Sequence, residues 1–111
     1  MGDIPKAVKK SLRVHSSLAY EEEMRRALLP LADGFDRWRE GQIRSGEICE
    51  LIHEFHQGPA RQIFVRYDNR LLESAVAHAI ATGILDRTKV PTELLEYLGT
   101  KIEFYESDSA S

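Results

Sequence analysis

Apolar side chains recur at intervals of three and four residues along most of this chain, the spacing by which a helix buries one face and leaves the other to water. The longest such run covers 59–82. Pro59 suits a first helical turn, where an absent amide hydrogen costs nothing, and Gly58 lets the chain turn sharply into it. Ala60, Phe64, Tyr67, Leu71, Ala75, His78 and Thr82 then fall along one stripe, and AVAHAIA over 75–81 is apolar almost all the way round. The pattern predicts a long central helix covered on several sides by its neighbours.

A second stripe precedes it. Ser17 stands where a cap is needed for a helix starting near Leu18, and Glu21, Glu22 and Glu23 occupy opening turns where the helix dipole favours acids. Met24, Leu28, Leu31, Phe35 and Trp38 follow at spacings of four, three, four and three, a heptad seam over two repeats. Pro30 interrupts the hydrogen-bond ladder but points away from that seam, so a bent helix running to about Glu40 is expected. Gly41 ends it, and Ser45 caps a shorter helix to about Gln57 with Ile48, Leu51, Ile52 and Phe55 inside and Glu47, Glu50 and Glu54 outside. Pro91 opens a fourth helix carrying Leu94, Leu98, Ile102 and Tyr105 on one side. In a competing reading, Ile102 and Phe104 alternate with charged neighbours as a short strand against Leu12 and Val14.

The expected architecture is all-α, a small four-helix bundle with one long central helix and a bent first helix. Its domain would span 18–106, between a basic, partly flexible N-terminal arm over 1–17 and a loose polar tail over 107–111. With 42% apolar and 30% charged residues the chain has an ordinary globular composition, and its length suffices for one real core. The 10 N-terminal residues lack the apolar centre of a signal peptide, and no run approaches the ~20 apolar residues of a membrane helix, which predicts a cytoplasmic protein without membrane association. The single cysteine excludes an internal disulfide. Charge is segregated: Lys6, Lys9, Lys10 and Arg13 against Asp3 give the arm +3, leaving −6 elsewhere in a net of −3.

Three constellations bear on function. On the second helix Cys49, His53 and His56 recur at four and three residues, with Glu50 three before His53; these are metal-ligand types. A di-metal bundle needs two Glu-x-x-His elements and two further glutamates, however, and zinc proteases set their histidines four apart, so boundary residues beside a core are the better reading. His78 shares a polar ladder with Ser74 and Thr82 on a buried face, and neighbouring hydroxyls or a carbonyl explain it without chemistry. No nucleophile elbow or phosphate loop is present, so neither an enzyme nor a cofactor is expected.

DNA binding is the alternative. Residues 46–70 could form a helix-turn-helix around the turn 56–59, its second unit presenting Gln62, Arg66, Asn69 and Arg70, with Lys9 and Lys10 of the basic arm reaching phosphates. The acidic balance of the rest of the chain and Glu73 on the same face weigh against it. The favoured expectation is a non-catalytic helical interaction or regulatory module, homo-oligomeric, with Met24, Leu28, Leu31, Phe35 and Trp38 as the interface and a further protein partner as an option.

Overall fold

The computed structural model describes residues 4–110, leaving aside the side chains of Asn69, Ser109 and Ala110. The class is all-α, with no strand among the described residues. The first helix, α1 (Lys6–Arg39), is the longest and begins well before Ser17. Val8, Leu12, Ser16 and Ala19 are buried along it at intervals of four, four and three. From Lys6 on, the basic segment is thus helix and not an extended strip or a loose arm, with Val8 and Leu12 buried along it, while residues 1–3 of the expected arm lie outside the described residues. Pro5 directly precedes the first turn, where its missing donor is harmless.

α1 also continues through Pro30. The carbonyl that Pro30 leaves without a donor is that of Arg26, an exposed residue where water can serve it. Gly41, at φ +77°, closes the helix, with its amide donating to the Trp38 carbonyl and that of Gln42 to Arg37.

The next helix, α2 (Ser45–Phe55), does not stop at Gly58 and Pro59. It passes through a π-helical turn (His56–Ala60) into α3 (Arg61–Arg66), so 45–66 is one continuous helical rod. The wide turn carries the chain past the amide that Pro59 lacks, and Pro59 therefore lies within a helix rather than starting one. The predicted long helix over 59–82 is in turn broken after Arg66. Asp68 adopts an extended conformation (φ −62°, ψ 143°), and its carboxylate accepts from the Arg70 amide at 3.0 Å while its carbonyl accepts from Leu71 at 2.8 Å. After this cap α4 (Leu72–Ala81) begins, and Gly83 at φ +80° follows its end.

The rest is a compact end cap. Asp86 caps a short 3-10 turn, α5 (Thr92–Tyr97) starts after Pro91, and α6 (Gly99–Ala110) follows after Leu98. The strand reading for Ile102 and Phe104 fails because Ile102 is buried as part of a helical stripe with Leu94 and Leu98. The polar tail is helical to Ala110; Ser111 lies outside the described residues.

The core gathers Val8, Leu12 and Ala19 of α1, Val76, Ala77, Ala79 and Ile80 of α4, Leu85 and Val90, and Leu94, Leu98 and Ile102. A four-helix bundle is therefore an approximation. The first half of α1 with α4, α5 and α6 forms a packed body, while the second half of α1 and the α2–α3 rod leave it as an antiparallel hairpin. Gly34 lets the two helices of the hairpin meet: a methyl group there would stand 2.9 Å from Cδ1 of Leu51 and 3.2 Å from Cδ1 of Ile48. The molecule measures 58 × 28 × 22 Å. No helix among the described residues is long and apolar enough to cross a membrane.

Candidate interaction surface

Two rows of side chains line one flank of the hairpin. On α1 they are Met24, Leu28, Leu31, Phe35 and Trp38. Met24, Leu31 and Phe35 are half-buried, whereas Leu28 and Trp38 remain 42% and 40% exposed. Phe35 and Trp38 hold each other edge to face at 6.4 Å.

The second row is on the α2–α3 rod: Ser45, Cys49, Ile52 and His56 recur at helical spacing, followed by Ala60 and Phe64. It runs beside the first row because both ends are tied to it. At the tip Trp38 Nε1 donates to Ser45 Oγ at 3.0 Å. Nearer the body, Met24 shares a groove of about 450 Å³ with Tyr20, His56, Ala60 and Phe64, and Gln57 and Arg61 line the same groove beside the row. Ile52 is 41% and Phe64 67% exposed. Neither row contains Asp, Glu, Lys or Arg, while Glu47, Glu50 and Glu54 are exposed on other sides of α2.

At the base of the hairpin lies its polar anchor. Glu23 of α1, with a side chain only 9% exposed, accepts hydrogen bonds from Arg66 Nη1 and the Tyr67 hydroxyl at the end of the rod. Burial, then the hydrogen bond to Glu23 and its charge, push the Tyr67 phenol far above its usual range, with Arg66 pulling weakly the other way. Tyr20 packs edge-on against the Tyr67 ring at 5.9 Å. No periodicity could have found this cluster, since its members are more than 40 positions apart.

The other sequence candidates fall as follows. Cys49, His53 and His56 are all exposed, and no group of three or more His, Cys, Asp or Glu side chains among the described residues could hold a metal ion. Cys49 and His56 instead belong to the uncharged row above. The helix-turn-helix over 46–70 has no turn, because 56–59 is helical. Arg66 is engaged with Glu23, Gln62 and Arg70 are exposed, and the side chain of Asn69 lies outside the described residues. Lys9 and Lys10 are exposed on α1. Phe64 and Leu71, predicted on a buried stripe, are both exposed, because the break at Asp68 rotates that stripe out of register.

His78 is half-buried at the edge of the core. Its ring stands edge-on to Tyr105 at 5.3 Å, and Thr82 Oγ1 donates to its carbonyl at 2.8 Å. The hydroxyl ladder foreseen beside it thus reaches the backbone, not the ring: imidazole Nδ1 is buried with no hydrogen-bond partner. In comparisons with known proteins, no protein-family model, no curated protein and no solved structure matches this chain.

Proposed function

We propose that the chain is a non-catalytic helical interaction module of the cytoplasm, in which the hairpin pairs with the hairpin of a second copy to close a four-helix bundle. The observation that carries this reading is the exposed, uncharged double row. A two-helix hairpin has no third layer, and here its flank leaves Leu28, Trp38, Ile52 and Phe64 at 40% exposure or more. Covering such a flank removes apolar surface from water at about 25 cal/mol per Å².

A second copy fits it for reasons of symmetry. Glu21 and Arg39 bracket the α1 row, one at each end. They lie about 27 Å apart along the helix at 1.5 Å per residue. In an antiparallel two-fold pairing centred near Pro30, Glu21 of one copy meets Arg39 of the other, twice, while the apolar rows face each other. Arg39 currently rests on Asp36 at 3.4 Å in an exposed pair that costs little to exchange.

Sedimentation velocity from low to high micromolar concentration tests the reading. The parent chain is expected to sediment as a dimer, and a Leu28→Glu, Ile52→Glu variant, whose changes lie at exposed positions, to retain its helical circular dichroism and dimerise about 100-fold more weakly. A parent chain that stays monomeric throughout, or a variant that dimerises as well as the parent, overturns it.

A further inference from the structure

The opening turns of α1 carry a face that the hairpin flank does not involve. At about 100° per residue, Lys6, Lys9, Lys10 and Arg13 fall in one sector of the helix, turned away from the buried Val8, Leu12 and Ala19. All four are exposed, and among the described residues none is paired with a carboxylate. These charges oppose the helix they sit on. No acid stands in its first turn, where the positive end of the dipole favours one. Lys6 with Lys9 and Lys10, and both of these with Arg13, make like-charged neighbours at three or four residues, each pair mildly destabilising. Helix formation therefore gives no reason to gather them. Beside them, on the next sector of the same surface, Val14 and Leu18 stand one turn apart and are 47% and 53% exposed.

We propose that this face docks on an anionic phospholipid surface, with the four cations at the headgroups and Val14 and Leu18 entering the boundary between headgroups and acyl chains. A cluster of this size on one helix face is attracted by the negative potential of such a surface, and the adjoining apolar side chains add burial. Duplex nucleic acid would take the cations but leave Val14 and Leu18 in water. Residues 6–18 also contain no Asn, Gln, Phe, Tyr or Trp to read a base or stack on one. From Lys6 to Leu18 the face is about 18 Å long at 1.5 Å per residue. Glu21 is the first acid beyond it. The excess of acids elsewhere in the chain is repelled by the same headgroups, so the opening of α1 is the end that meets them. The expectation of no membrane association rests on the lack of a spanning run, which surface docking does not need.

Co-sedimentation of the full chain with vesicles tests this, using pure phosphatidylcholine and phosphatidylcholine with about one quarter phosphatidylserine, at about 0.1 M salt. Partitioning is expected to be at least about 100-fold stronger on the anionic vesicles. A Lys6→Gln, Lys9→Gln, Lys10→Gln, Arg13→Gln variant, changed only at exposed positions, should keep its helical circular dichroism, melt no earlier than the parent and lose binding by a similar factor. A Val14→Ser, Leu18→Ser variant should bind the anionic vesicles at least about fivefold more weakly. A mixed-sequence DNA duplex should not displace the parent from them. Should the glutamine variant lose its helix, the parent's preference between the two vesicles and the serine variant decide. Equal partitioning on both vesicles, or a folded glutamine variant that binds like the parent, overturns the proposal. So does an unaffected serine variant or displacement by the duplex, either of which would mean that the face takes a polyanion by charge alone.

Discussion

Glu23 shows what a single residue does when it is buried between two donors. Its carboxylate loses hydration and regains it from Arg66 and the Tyr67 hydroxyl, so the group is satisfied only while the rod lies against α1. Glu23→Ala leaves both donors unpaired. Removing one partner of a fully buried pair costs about 3–5 kcal/mol. Arg66 is 36% exposed and water can replace part of its loss, so about 2 kcal/mol is expected, read from the urea midpoint at unchanged m. The same cluster fixes a pH dependence. The Tyr67 phenol is raised in the folded state, so its contribution is fully present below the unfolded tyrosine value near 10 and is lost as pH rises beyond it. The parent should therefore lose urea resistance above about pH 10, and Tyr67→Phe should show a flatter alkaline limb. An alkaline limb unchanged by Tyr67→Phe would place the titrating group elsewhere.

Elements were legible wherever one face is apolar over several turns, and their ends were legible where glycine must take a left-handed conformation. Gly41 marks a helix end as read, Gly83 takes the same left-handed conformation just past α4, and the AVAHAIA segment is largely buried as its composition requires. The start of α1 was missed although Val8, Leu12 and Ala19 carry helical spacing, because lysines crowd the intervening positions and Leu12 and Val14 mimic alternation. Pro59 misled in the opposite sense: proline is read as a boundary, yet a π turn accommodates it inside the rod. The true boundary lies at Asp68, whose side chain competes with the helical ladder. Asp68→Ala removes the carboxylate that holds the Arg70 amide and should cost about 1 kcal/mol. The more telling readout is amide exchange: residues following the break should lose protection while α6 does not. Uniform loss across α4 and α6 would mean that the cap supports the whole body and not one helix end.

At the scale of the molecule, the body and the hairpin are unequal. A compact chain of this length has a radius of gyration of about 13 Å. The observed 17.3 Å reflects the projecting hairpin. Most of the core lies in the body, whereas the second half of α1 and the α2–α3 rod contribute Gly34, Ile48 and Ile63 as buried residues. No stripe read on one helix reveals this division, since it depends on which stripes meet. A segment with so few buried contacts opens locally at low cost unless something covers it. If the cover is a second copy, protection of the hairpin amides must depend on protein concentration and that of the body must not. Hydrogen exchange at two concentrations straddling the dimer dissociation constant should then slow 45–66 and leave 72–81 unchanged. Equal exchange of the hairpin at both concentrations, with sedimentation reporting a dimer, would mean that the copies meet through the body. The uncharged flank would then lie open to a different partner.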